Sequence, residues 1–254
     1  MALADMLAFD LAVAALVFCR IGTAIMLLPG FGDAYVSPRI RLMIALAVTL
    51  AILPVVGVTL TAPQGLGPFV LAILGEIGVG AFLGTCARIL FSALQTAGTI
   101  VAMQTSLANA FVQEASSAQQ AALIANFYGL LGLVIMFTTD MHHLVLAGLV
   151  DSYRVFPPFA LPPMGDVAHT AARLVSGSMR LALMLAAPVV MASVVVMFGM
   201  GMVARLMPQV QVFFLAVPAQ IAAGLLLLAL TLSSVAAWFM GAFEDGYVRI
   251  FTGG

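Results

Sequence analysis

The stretch Arg205-Leu206-Met207-Pro208-Gln209-Val210-Gln211-Val212-Phe213-Phe214 interrupts a long, nearly uncharged run. Arg205 is the one charged residue between Arg180 and Glu244; residues 181–204 before it and 206–243 after it carry none. A helix rises about 1.5 Å per residue, so each flank exceeds the roughly 20 apolar residues that cross a ~30 Å hydrocarbon layer. The sequence therefore predicts two apolar helices around a short polar hinge.

The remainder of the chain fits the same setting. Of its 254 residues, 64% are hydrophobic and 7% charged, with a mean hydropathy of +1.20. A soluble domain is about a quarter charged, so there is too little charge here to cover a water-exposed surface. The expected class is all-α, integral to the membrane or assembled within it. All nine basic residues are arginine and the formal net charge is -1. No basic run exists, which argues against a nucleic-acid partner. A cleaved signal peptide is not expected, because Asp5 and Asp10 precede the first basic residue, Arg20. Cys19 and Cys86 lie in apolar segments and read as buried free thiols, not a disulfide.

Six apolar stretches stand out, at roughly 11–29, 42–62, 69–94, 121–139, 181–204 and 210–240. Pro29-Gly30-Phe31-Gly32-Asp33 closes the first, and Pro63-Gln64-Gly65-Leu66-Gly67-Pro68 the second. Residues 151–180 form the one sizeable polar connection, with an amphipathic helix expected from about Val167 to Arg180. Pro54, Pro188, Pro208 and Pro218 are expected to kink or interrupt helices. Carbonyls freed that way inside lipid need partners, so such helices pack on others or line a cavity. If the six stretches all cross, Arg39, Arg41, Arg88 and Arg205 fall on one side and Arg154, Arg173, Arg180 and Arg249 on the other. That even split gives no orientation by the positive-inside rule: either one apolar stretch does not cross, or the chain is not a standard bundle inserted by charge rules, which favours assembly inside a complex.

Few residues invite chemistry. Glu76, Gly80, Gly84 and Arg88 recur every four residues and form a slanted stripe on one helix. Two glycines at that spacing admit close helix approach. The stripe reads as a subunit interface with buried ion pairs to neighbouring chains; the alternative is that both charges snorkel to the headgroups. Arg20, in the middle of an apolar stretch, calls for an ion pair within or between subunits. His142 and His143 follow Asp140 at a helix end; adjacent histidines point apart on a helix, so no metal site is expected. Neither a catalytic triad, a phosphate loop nor a Cys-x-x-Cys pair is present, so no enzyme and no cofactor are expected. The methionines of the fifth stretch, among them Met184, Met191, Met197 and Met202, read as ordinary packing, with a deformable seal as the sharper alternative.

The wording of the hinge is more specific than its hydrophobicity. Gly201-Met202-Val203-Ala204-Arg205-Leu206-Met207-Pro208-Gln209-Val210-Gln211-Val212-Phe213-Phe214, followed by Pro218 and Gly224, resembles the C-terminal signature of the FliR/SctT family. Matching blocks precede it in order: Phe18 and Arg20, Pro29, Ser37-Pro38-Arg39-Ile40-Arg41, Glu76-Ile77-Gly78-Val79-Gly80 with Gly84, Ala97-Gly98 with Gln104, His142-His143 through Asp151-Ser152-Tyr153 to Pro157, and Ala187-Pro188. The resemblance covers nearly the whole chain, although Gln211, Ser106, Met141, Glu114-Ala115 and Gln220 depart from the family's usual residues.

The resemblance implies a component of a type III secretion export gate in the bacterial inner membrane, in the flagellar basal body. It implies partners too: FliP-like and FliQ-like subunits, a larger export-gate subunit of the same system, membrane lipid, and the unfolded export substrates that pass through. It divides the single domain, 1–254, into a FliP-like part over about 1–180 and a FliQ-like part over about 181–254. In such an assembly the polar stretch from Ser106 to Gln120 lies at the pore axis as a plug, through Ser106, Asn109, Phe111, Gln113, Glu114, Ser116, Gln119 and Gln120. Subunit contacts fall to Arg20, Glu76, Gly80, Gly84, Arg88, Arg205, Pro208, Gln209 and Phe213. Two alternatives stay open: an injectisome gate subunit, and a small-solute transporter. The latter is disfavoured because residues 1–127 and 128–254 show no repeat and no pair of carboxylates lies at mid-span.

Overall fold

The computed structural model describes residues 3–57, 60, 63–104, 117–159, 163–206 and 212–252, and among them no strand occurs. Seven helices follow in order: α1 (Leu3–Leu27), α2 (Pro38–Val56), α3 (Leu66–Gln104), α4 (Ser117–Thr138), α5 (Met141–Val155), α6 (Met164–Leu206) and α7 (Val212–Thr252). The chain is an all-α membrane protein, as its composition requires.

Six alternating spans are replaced by a smaller number. Four helices among the described residues are long and apolar enough to cross a membrane, or five if α4 and α5 count as one broken span. The apolar part of α1, Leu11–Leu27, falls short of a full crossing. The even split of arginines therefore loses its basis. Helix α5 was missed between an apolar stretch and the polar connection. The amphipathic segment and the fifth stretch, expected as two helices, form the single helix α6 of 43 residues. Nothing between Arg180 and Leu181 breaks the backbone. Pro54, Pro188 and Pro218 lie inside helices that run on past them. Helices α3, α6 and α7 have 39, 43 and 41 residues. At about 1.5 Å per residue each runs roughly 60 Å, about twice a ~30 Å hydrocarbon layer.

The chain forms two compact units, each assembled from separated segments. The first comprises Met1–Leu90, Asp140–Val175 and Glu244–Gly254; the second comprises Phe91–Thr139 and Ser176–Phe243. In the first unit α1 turns one face inward through Val13, Leu16, Val17, Ile21, Ala24 and Ile25, each at most 4% exposed. Their three- and four-residue spacing is the amphipathic helix pattern, and Arg20 sits in the same row. Val145 and Leu149 of α5 are buried as well. The Tyr247 hydroxyl, in the last turns of α7, donates to the Val145 carbonyl at 3.2 Å. Gly148 leaves room for the Tyr247 and Phe251 rings.

The loop from Leu28 to Ser37 is held by few groups. Gly30, at φ 85, donates its N–H to Asp33 Oδ2 at 2.8 Å. Arg41 reaches back to the carbonyls of Asp33 and Val36 at 2.7 and 3.0 Å. Ser37 caps α2 and Pro38 occupies its first turn, so Ser37-Pro38-Arg39-Ile40-Arg41 is a helix start in local chemical terms.

The second unit packs Phe91, Leu94 and Ala97 of α3 with Tyr128 of α4, Leu185 and Val189 of α6, and Val235 and Phe239 of α7, all buried. Phe91 and Phe239 meet edge to face at 5.9 Å. Gly98 brings α3 so near α4 that a side-chain carbon there would lie 2.9 Å from the Ala125 Cα. Much apolar surface stays outward. Met184, Met191, Met197 and Met202 of α6 are 44–71% exposed, so within this chain these methionines are not core packing. The most apolar window of α7 is only 11% buried.

Candidate functional site

The centre of the first unit is polar. Arg20 is fully buried and Glu76 is 1% exposed. The two meet side on: Arg20 Nε donates to Glu76 Oε2 at 2.5 Å and Nη2 to Oε1 at 3.0 Å. Arg20 Nη1 donates to Ser152 Oγ at 3.3 Å and, at the long limit of 3.5 Å, to the Phe156 carbonyl. Ser152 in turn donates to the Leu149 carbonyl at 2.6 Å. The Tyr153 ring lies under the guanidinium, 4.0 Å from its carbon to the ring centre. Glu76 Oε1 accepts a third hydrogen bond from the Phe159 N–H at 3.0 Å. Phe159 holds φ 66, a conformation sterically costly for a bulky side chain; in it the N–H reaches the carboxylate.

Each member is placed by its helix. Arg20 belongs to the buried row of α1. Ala72, Glu76, Val79 and Leu83 form the buried row of α3, and Val145, Leu149 and Ser152 that of α5. A planar guanidinium satisfies a carboxylate in two places at once, which a lysine could not do. With both Glu76 oxygens already accepting donors from two other segments, the cluster holds those segments together. The cluster ties α1, α3, α5 and the Phe156–Phe159 connection.

The stripe of glycines serves the same contact. A side-chain carbon at Gly80 would overlap the Arg20 carbonyl, and one at Gly84 would lie 2.7 Å from the Ala24 carbonyl oxygen. Gly80 and Gly84 thus seat α1 of this chain, and Arg20, Glu76, Gly80 and Gly84 are all engaged inside it. Arg88, at the end of the stripe, is half exposed and stands 3.7 Å from Asp33 Oδ1. Such a surface pair contributes at most about 1 kcal/mol. Asp33 Oδ2 also accepts from the Tyr35 hydroxyl at 2.8 Å. Partial withdrawal of that hydroxyl from water, then the Asp33 carboxylate, push the Tyr35 phenol above its ordinary range, so it remains a donor.

Other expected residues fall elsewhere. Arg205 is exposed near the end of α6. Phe213 lies by backbone in the first turn of α7, and Pro208 and Gln209 are outside the described residues. Of the expected plug, Ser106, Asn109, Phe111, Gln113, Glu114 and Ser116 are likewise outside them, and Gln119 and Gln120 lie by backbone in the first turn of α4. In the second unit Ser193 Oγ donates to Gln104 Oε1 at 3.0 Å. Those two residues line a small cleft with Gln220 and Gly224. Cys19 and Cys86 are free thiols, the first half-buried and the second buried.

The histidine pair departs from expectation. Asp140 takes a left-handed φ of 57 immediately before α5. The His142 and His143 rings, expected to point apart, lie 4.1 Å centre to centre with a 36° tilt. Both residues lie in the first turn of α5, and rotation about their side-chain bonds brings together rings whose Cβ atoms diverge.

A membrane protein whose helices are joined by a buried ion pair and bare long apolar flanks is a class, and comparison narrows it. Residues 11–246 match the family model of the bacterial export proteins, family 1, and the chain belongs to that family. It is 40% identical over 246 residues to the flagellar biosynthetic protein FliR of Caulobacter vibrioides, covering 96% of this chain and 98% of the relative. It is 30% identical over 226 residues to FliR of Bacillus subtilis, covering 87% and 86%. FliR of Aquifex aeolicus is 26% identical over 235 residues, covering 92% and 90%.

Proposed function

We propose that this chain is a channel-forming subunit of the flagellar type III protein export gate in the bacterial inner membrane, assembled with FliP-like and FliQ-like subunits and a larger gate component. Family membership and the flagellar relatives support the gate and favour the flagellar over the injectisome reading. The observation that carries the assembly is the length and bareness of α3, α6 and α7. Helices of roughly 60 Å with apolar sides have more surface than a ~30 Å layer covers. Neighbouring subunits cover the surplus. Arg88, Arg205, Pro208, Gln209 and Phe213 face those neighbours in this reading. The FliP-like part spans about 1–180 and the FliQ-like part about 181–254. The polar stretch Ser106–Gln120, which runs into the first turn of α4, closes the channel for unfolded substrates, through Asn109, Phe111, Gln113, Glu114, Ser116 and Gln119. Its role is mechanical, not catalytic.

Two measurements test this. Expressed without its partners the chain aggregates or is degraded; a monodisperse folded monomer in mild detergent overturns the assembly reading. Deletion of residues 113–119 leaves partner co-purification intact and makes cells leaky to a small dye. Loss of assembly makes the stretch structural, and an intact barrier removes the plug.

A further inference from the structure

We propose that Asp140, His142 and His143 form a site for a borderline divalent cation of the Zn²⁺ class. Three observations place it. The Asp140 carboxylate makes no side-chain cap bond to α5; it stands instead 3.5 Å from His143 Nδ1. The two imidazoles lie side by side, with ring centres 4.1 Å apart. One ligand atom from each of the three residues lies within 4.8 Å of the others. All three residues belong to the first unit, within four consecutive positions, so the cluster is set by the local turn alone.

The donor set selects the ion. Two imidazole nitrogens and one carboxylate oxygen suit Zn²⁺, Ni²⁺ or Cu²⁺, whereas Mg²⁺ and Ca²⁺ take oxygen ligands. Tetrahedral Zn²⁺ holds nitrogens at about 2.0–2.1 Å, so the ligand atoms must draw closer than they now stand. Rotation about side-chain bonds supplies this, since Asp140 and His143 are 76% and 69% exposed. The remaining coordination position stays open to water. The amide end of α5 opposes a cation, and the Asp140 carboxylate beside it offsets that term. A bound ion fastens the left-handed residue to the first turn of α5 and so fixes the start of that helix. This goes beyond the export-gate reading, and its test uses the complex that reading proposes.

The test uses the full chain co-purified with its partner subunits, carrying a tag free of histidine and stripped with a chelator. Co²⁺ is the probe, followed by its visible absorption, with Zn²⁺ displacement as the check. About one ion per chain is expected, released by Zn²⁺. His142→Ala and His143→Ala each weaken binding at least about tenfold, and Asp140→Asn weakens it less. His169→Ala, on α6, leaves it unchanged. Binding that survives His142→Ala and His143→Ala, or no stoichiometric uptake by the parent, overturns the site. Where a variant fails to assemble, the parent chain decides. Cu²⁺ with ascorbate then oxidises ligating histidines, and peptide mass mapping finds oxygen added at His142 and His143. Oxidation spread equally to His169 overturns it.

Discussion

Replacing Glu76 by Gln keeps the shape of the side chain and removes its charge. In the native arrangement the Glu76 oxygens accept from Arg20 Nε, Arg20 Nη2 and the Phe159 N–H. A glutamine turns an NH₂ group toward one set of those donors and leaves the fully buried Arg20 without a counter-charge. Breaking one side of a buried pair costs about 3–5 kcal/mol, a factor of roughly 140 to 3,700 in the folding equilibrium at about 1.4 kcal/mol per decade. For a chain of this size each kcal/mol moves the midpoint by about 2–4 °C, so the expected fall is about 6–20 °C. The assay is thermal unfolding of the co-purified complex in detergent, with the amount of chain retained in membranes as a second reading. The double variant Arg20→Met with Glu76→Met removes both charges and refills the space. It recovers at least half of the loss, because a buried pair exchanged for apolar packing is often neutral or better. A Glu76→Gln midpoint within about 2 °C of the parent, or a double variant worse than either single one, refutes the reasoning.

Three further outcomes follow from the same packing. The Tyr153 hydroxyl is buried with no hydrogen-bond partner among the described residues, so Tyr153→Phe holds or raises the unfolding midpoint. Tyr153→Leu lowers stability by about 1–2 kcal/mol through loss of the ring under Arg20, and a midpoint for Tyr153→Phe as low as for Tyr153→Leu contradicts the assignment. Gly80→Ala pushes a carbon into the Arg20 carbonyl and reduces the chain recovered in membranes. Gly177→Ala, which meets nothing within 4 Å, raises the midpoint with a gain of up to about 1 kcal/mol in the helix; equal recoveries for the two glycine variants tell against a tight seat at Gly80. Leu83 is fully buried, so Leu83→Ala costs about 2–5 kcal/mol, read as the denaturant midpoint shift.

The membrane class was legible from charge content alone, and the family from the order of its motifs. Helix number was not, because hydropathy finds apolar runs and ignores how far a backbone continues. The row Met141, Val145, Gly148, Leu149 and Ser152, all buried, carries a helical period that the charged neighbours Asp151 and Arg154 obscured. Helix α6 continues through Arg180 because no residue there removes a backbone donor. A mid-helix arginine announced that Arg20 needs a partner. The identity of that partner, 56 residues away, rests on tertiary packing that no local pattern encodes. The histidine pair was not legible because helical period fixes where the Cβ atoms point and not how the rings turn beyond them.

The separation in sequence between Arg20 and its partners gives the cluster a timetable. Glu76 lies 56 residues downstream of Arg20 and Ser152 lies 132 downstream. At about 5–20 residues per second of synthesis, the guanidinium waits roughly 3–11 s for its carboxylate and roughly 7–26 s for the serine. Until then Arg20 lacks the carboxylate that pairs it in the folded chain, and placing it in an apolar layer is costly. Burial of the segment around Arg20 is therefore expected to become favourable only once α3 has been made. Faster or slower ribosomes change how long that vulnerable interval lasts without changing any contact in the finished protein.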